Sequence, residues 1–180
     1  GGLGIDNILN LKLMSKRQLE ESLNFKFGNK NLLVTFHPVT LENGINKKHI
    51  SELILALQEL KDIKIIFTMP NADTDSRVII DKIKSFCTKN RNAVYFKSLG
   101  ELKYLSCIKY IDGVVGNSSS GLLEIPSFKK GTINIGDRQK GRIKATSVID
   151  CDPVKEEIIK AINILYSSSC LLYTSDAADD

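Results

Sequence analysis

The chain has 180 residues, of which 42% are hydrophobic and 26% charged, and a formal net charge of +4. These proportions suit one α/β domain with a core of its own. The basic residues are scattered rather than blocked, which argues against a nucleic-acid footprint; no apolar run approaches the ~18 residues that span a bilayer, and nothing reads as a signal peptide.

Ser15 and Gln18 predict a capping box for a helix over "SKRQLEESLNF", where Leu19 and Leu23 share a face. "NLLVTF" (Asn31–Phe36) reads as a buried strand. It ends at His37-Pro38, because proline cannot donate to a ladder. Ile50, Leu53, Ile54, Leu57 and Leu60 line one side of a helix in "INKKHISELILALQEL". "IKIIFTM" is the second strand, and "SRVIIDKIKSFC" the next helix, with Ile79, Ile80, Ile83, Phe86 and Cys87 turned inward. "NAVYF" is the third strand, and Ser98 with Glu101 predicts a second capping box for "ELKYLSCIKY". "DGVV" is the fourth strand; the serine-rich stretch after it leads into a short helix stopped near Pro126. "GTINIG" and "SVID" are the fifth and sixth strands. Asp152 as N-cap and Pro153 at the first helical position open a final helix over "VKEEIIKAINILY". Strands alternate with helices, and the strands are unbroken apolar runs. The expected fold class is therefore α/β, a doubly wound parallel sheet covered on both faces. Cys87, Cys107, Cys151 and Cys170 form no Cys-x-x-Cys pair and no Cys/His ligand spacing, so free buried thiols are expected.

Open α/β sheets bind ligands beyond the carboxyl ends of their strands. His37, Pro38 and Thr40 follow the first strand, Pro70, Asn71 and Asp73 the second, Gly116-Asn-Ser-Ser-Ser-Gly121 the fourth, and the run from Gly136 to Arg142 the fifth. The turn from Gly116 to Gly121 suits an anion. Its glycines allow close approach to the backbone, the following helix offers about four unpaired N–H groups and a partial positive charge, and Ser118 and Ser119 add hydroxyl donors. An ordinary serine cap fits the same residues, and the stretch is not a GxxxxGK[ST] loop. Arg138 and Arg142 on the next loop favour the anion, since guanidinium is the preferred partner of phosphate. Glu124 is either a solvated helix charge or an acceptor for a ribose diol, lying four residues after Ser120. His37 is either a structural histidine or an acid–base group in the crevice. His49, beside Lys47 and Lys48, reads as surface, and Asp73 and Asp75 as a loop or helix cap rather than a working carboxylate pair.

The stretches "TFHPVT", "MPNADTDS", "SLGELKYLS", "GVVGNSSSGLLEIPSF" and "INIGDRQKGR" together resemble the UDP-N-acetylglucosamine 2-epimerase family. The branch they resemble is the hydrolysing one that forms N-acetylmannosamine. The motifs run in the family's order from Gly1 to about Ser167, and "GNSSSGLLE" followed by "GDRQKGR" is their most specific part. The resemblance implies a glycosyltransferase-B-like fold, two Rossmann-type halves with the nucleotide sugar between them. This chain resembles the carboxyl-terminal half. Residues 1–10 resemble the segment crossing from the other half, and residues 11–169 the UDP-binding domain, truncated at its end. Residues 170–180, "CLLYTSDAADD", resemble a translated sequencing adapter, the alternative being a genuine acidic tail. Carried over from the family, Ser118 and Ser119 hold the diphosphate, Glu124 binds the ribose hydroxyls, and Arg138 contacts the phosphate side. Asn71 lines the cleft, and Tyr104, which otherwise reads as a core residue of its helix, stacks on uracil. His37 matches the functional histidine. The implied reaction converts UDP-N-acetylglucosamine and water to N-acetylmannosamine and UDP, for sialic-acid-type sugars, with no cofactor and no metal. The alternatives are a non-hydrolysing epimerase, a hydrolysing epimerase of a bacillosamine-type UDP sugar, a glycosyltransferase on the same fold, and a nucleotide-sugar-binding module without chemistry. The implied partners are the UDP sugar, the amino-terminal half of the same enzyme and, at full length, further copies of itself, with no nucleic acid and no membrane, in the cytoplasm. The acidic residues that handle the C2 proton lie largely in the family's other half. The chain alone is therefore expected to bind UDP weakly and not to turn over.

Overall fold

A computed structural model describes residues 12–118, 130–136 and 148–169. In chain order these form α1 (Lys16–Leu23), β1 (Lys30–Thr35), α2 (Asn43–Gln58), β2 (Ile63–Thr68), α3 (Arg77–Lys89), β3 (Ala93–Phe96), α4 (Gly100–Tyr110), β4 (Gly113–Gly116), β5 (Gly131–Ile135), β6 (Val148–Cys151) and α5 (Lys155–Ile164). The strands make one sheet in the order β3-β2-β1-β4-β5-β6, and every pairing is parallel. The chain therefore builds outward from β1 to β3, then returns to the other side of β1 with β4. The connections leaving β1 and β4 run in opposite directions, and a crevice opens between their carboxyl ends.

The unbroken apolar strands follow from burial on both faces. Along β1, Leu32 and Val34 enter one core and Leu33 the other, as the two-residue period of a strand requires. The first core is closed by α2, α3 and α5 through residues such as Leu53, Ile83 and Ile158. The second is closed by α1 and α4 through Leu19, Leu23, Leu105 and Ile108. The sheet is thus doubly wound, as its sequence predicts. On α3, Ile79, Ile83 and Phe86 are buried, while Ile80 and Cys87 are only half-buried at the margin of that face.

The capping box of α1 forms as read: Ser15 Oγ accepts from Gln18 N at 3.2 Å, and Gln18 Oε1 accepts from Ser15 N at 3.1 Å. Two other expected helix starts are corrected. Ser98 and Glu101 form no box, because α4 begins at Gly100 with Leu99 at its N-cap and no side-chain cap. Gly100, at φ +73°, turns the chain there, so Ser98 sits one residue too early and its Oγ accepts from Gly100 N at 3.3 Å. At α5 the N-cap is Val154 rather than Asp152. Pro153 lies in a tight turn closed by Val154 N on Asp152 O at 2.8 Å, so it precedes the helix instead of opening it. The expected short helix near Pro126 lies outside the described residues, as do residues 1–11 and 170–180.

Phe67 is fully buried in β2, its ring edge-to-face with Phe86 at a centroid distance of 5.8 Å. Phe67→Ala is expected to cost about 3–5 kcal/mol, by lost transfer energy plus a cavity. Leu41→Ala, at a residue 80% exposed, should change stability by no more than about 0.5 kcal/mol. Urea unfolding of both variants checks the pair: the first midpoint should fall sharply and the second should stay put.

Candidate functional site

β4 reaches the switch point at Gly116, which pairs in register with Thr35 at the end of β1. The approach is so close that a Cβ on Gly116 would lie 1.8 Å from Thr35 O, and its φ is +152°. Only glycine fits there. The chain then places Asn117, fully buried, against the segment leaving β1. Asn117 N donates to Thr35 O at 3.3 Å. Its side chain takes both main-chain groups of His37: Oδ1 accepts from His37 N at 2.8 Å, and Nδ2 donates to His37 O at 3.0 Å. Pro38 restricts His37 from the other side, since a residue before proline is confined to extended backbone. The next residues are held by Asn46 of α2, also fully buried. Its Oδ1 accepts from Val39 N at 3.0 Å and its Nδ2 donates to Thr40 O at 2.8 Å.

A cleft of about 520 Å³ opens over these strand ends, within the size range of small-molecule sites. Thr35, His37, Thr68, Asn71, Tyr104 and Ser118 line it, with Lys97 and Glu101 at the side formed by the start of α4. Its floor carries a hydroxyl pair, Thr35 Oγ1 and Thr68 Oγ1, 2.5 Å apart across the β1–β2 register. Tyr104 packs on the core beneath α4 and also lines the cleft.

His37, Asn71, Tyr104 and Ser118, drawn from four separate stretches, thus share one cleft. Ser119, Glu124 and Arg138 lie outside the described residues. Sequence reasoning did not single out Thr35, Thr68, Lys97 or Asn117. Each threonine ends its strand, but the meeting of the two hydroxyls, like the reach of Asn117 to His37, is set only by register. Asp73 Oδ1 accepts from Ser76 N at 3.0 Å, which makes Asp73 the expected cap. His49 departs from expectation. It is half-buried rather than on the surface, beside a second cavity of about 380 Å³ next to Phe36 and Asp152. Burial, then the neighbouring Lys48, hold its imidazole below the usual histidine range. The thiols of Cys87, Cys107 and Cys151 are free, and burial pushes each up to about 12. None is therefore a thiolate nucleophile near neutral pH. Among the described residues, His, Cys, Asp and Glu form no group of three or more able to hold a metal ion, and no helix is long and apolar enough to cross a membrane.

An all-parallel doubly wound sheet with its cleft at the switch point is a Rossmann-like domain, of the kind paired in glycosyltransferase-B-like proteins. The chain belongs to the UDP-N-acetylglucosamine 2-epimerase family, a family of enzymes, which it matches over residues 1–178. It is 45% identical over 168 residues to a polysialic acid biosynthesis protein of Escherichia coli, covering 91% of this chain and 42% of that protein. It is 40% identical over 153 residues to the hydrolysing GDP/UDP-N,N'-diacetylbacillosamine 2-epimerase of Campylobacter jejuni, covering 84% of this chain and 40% of that one. The chain therefore spans less than half the length of these relatives. Among solved structures, the UDP-GlcNAc 2-epimerase of Methanocaldococcus jannaschii superposes with a TM-score of 0.67 at 19% identity, covering 91% of this chain and 45% of the other. The fold reaches beyond the family: trehalose-6-phosphate synthase superposes at 0.59 with 13% identity, covering 95% of this chain and 43% of the other.

Two outcomes follow from this geometry. Gly116→Ala forces β4 off β1 and should cost about 3 kcal/mol or more, read as a fall in Tm of roughly 6–12 °C. The thiols impose a pH dependence. The unfolded chain releases their protons near the ordinary 9.0 and the folded chain near 12. Below pH 9 they leave stability flat; between these values the folded state holds more protons, so stability falls as pH rises. Cys107→Ala should flatten that fall in urea titrations between pH 8 and about pH 11.

Proposed function

We propose that the chain is the UDP-binding half of a hydrolysing UDP-N-acetylglucosamine 2-epimerase. The complete enzyme would convert UDP-N-acetylglucosamine and water to N-acetylmannosamine and UDP, in the cytoplasm and in sialic-acid-type sugar synthesis. The observation that carries the reading is the single cleft at the β1/β4 switch point, lined by His37, Asn71, Tyr104 and Ser118. In this reading Tyr104 stacks on uracil. Ser118 and Ser119 hold the diphosphate, with Arg138 on its phosphate side, and Glu124 binds the ribose. His37 stands beside the diphosphate and the sugar. The reaction proceeds by elimination: the C2–H and C1–O bonds break, UDP leaves, and a glycal remains. Water then adds, with hydroxyl at C1 and a proton on the opposite face of C2. Preorganised donors stabilise the charge that grows on the departing diphosphate. The identity to the polysialic acid biosynthesis protein supports N-acetylmannosamine as the product. The identity to the Campylobacter enzyme supports a second reading, in which the substrate is a UDP-linked diacetylated bacillosamine.

UDP titrated into the chain should bind with a Kd at the weak end, about 0.1–1 mM, with Tyr104→Ala weakening it about tenfold. Binding that ignores both Tyr104→Ala and Ser118→Ala overturns the assignment of the cleft. The chain alone should release no UDP from UDP-N-acetylglucosamine. In a protein comprising both halves, His37→Ala should lower kcat by about 10²-fold or more. A change confined to affinity would instead indicate a binding module.

A further inference from the structure

We propose that Asn117 is a positioning residue: its buried side-chain amide clamps both main-chain groups of His37 and so fixes the backbone that carries the imidazole at the cleft shared with Ser118. The inference rests on the reading of His37 and Ser118 as parts of one nucleotide-sugar site. Its observation is independent of any ligand. The amide holds His37 N at 2.8 Å and His37 O at 3.0 Å, across 80 residues of sequence, and Asn117 is completely shielded from water. Asn117 N on Thr35 O adds a third link at 3.3 Å. The amide therefore stands in for a peptide group and carries the β1–β4 pairing one step past its last register pair, Thr35 with Gly116. A carboxamide suits this position because it offers a donor and an acceptor side by side. Serine would offer one short hydroxyl, and aspartate would set an oxygen against the His37 carbonyl.

The consequence is a mechanical link. Ser118 lines the cleft directly after Asn117. An anion held at Ser118 acts on the adjoining Asn117, and through the clamp on the backbone of His37. His37 then registers the diphosphate through its backbone as well as from its place in the cleft.

The chain has two histidines, so its imidazole ¹Hε1–¹³Cε1 spectrum has two cross-peaks, His37 being assigned with His37→Gln and His49 serving as the internal control. Without ligand, Asn117→Ala and Asn117→Asp should both displace the His37 cross-peak and leave that of His49 in place, the aspartate variant less because it keeps the acceptor for His37 N. With UDP, the native His37 cross-peak should move on titration, and in Asn117→Ala this response should be lost as UDP affinity falls about tenfold. An unchanged His37 cross-peak in both ligand-free variants overturns the clamp, whatever UDP does. Displacement of both histidines, or failure of both variants to fold, makes Asn117 a residue of the fold alone and also overturns it. Native chain that takes up no UDP overturns the nucleotide reading of the cleft, while the ligand-free spectra still decide the clamp.

Discussion

The contact on which the site depends is the approach of β4 to β1 at Gly116. A side chain there would sit 1.8 Å from the carbonyl of Thr35, so the two central strands meet at their carboxyl ends only because position 116 has none. From that one closure come the buried seat of Asn117, its reach to His37, and the entry of Ser118 into the cleft. A wider spacing would still leave a doubly wound sheet, since the cores on its two faces are built by other residues. It would lose the alignment of the two strand ends that makes a crevice into a shaped site.

Buried asparagine amides are a recurring device in this chain. Asn31 accepts from Gly28 N at 2.8 Å and donates to Gly28 O at 2.9 Å, and Asn46 does the same for Val39 and Thr40. Each supplies the hydrogen bonds that a loop's backbone would otherwise lose on burial, a loss of about 1–3 kcal/mol per group. Asn31 serves the entry to β1, far from the cleft, and there the device holds the fold and nothing else. Asn46 and Asn117 apply it to consecutive residues at the exit of β1, so the segment from His37 to Thr40 is held from two elements. A loop fixed in this way is the kind of support that a functional side chain needs if it is to stay in place without help from substrate.

How much of this was legible in the sequence depended on whether the determining interaction was local. The strands were legible because burial on both faces leaves continuous apolar runs, and the start of α1 because a capping box lies within four residues. The starts of α4 and α5 were misjudged because backbone geometry decided them: a positive φ at Gly100 and a tight turn through Pro153. His37, Asn71 and Ser118 could be singled out because each follows a recognisable strand, which is where an open α/β sheet puts its ligands. Thr35, Thr68 and Asn117 could not. The two threonines meet only through the β1–β2 register, and Asn117 meets His37 only through the β1–β4 pairing.

The fold leaves the reaction open, since trehalose-6-phosphate synthase shares it at a TM-score of 0.59; the chemistry has to come from the cleft. Its described lining supplies hydroxyls, an amide, an aromatic ring, an imidazole and one lysine, a set suited to holding a nucleotide and neutralising its phosphates. Among the described residues Glu101 is the only carboxylate lining it, and Glu101 is exposed on the first turn of α4. An elimination across C1 and C2 of a sugar has to remove a weakly acidic proton, which calls for a base held close and shielded from water. An exposed glutamate at the side of the cleft meets neither condition. On the proposed reading, this chain would bind and stabilise the leaving group, and the proton would be taken by a group elsewhere in the complete enzyme.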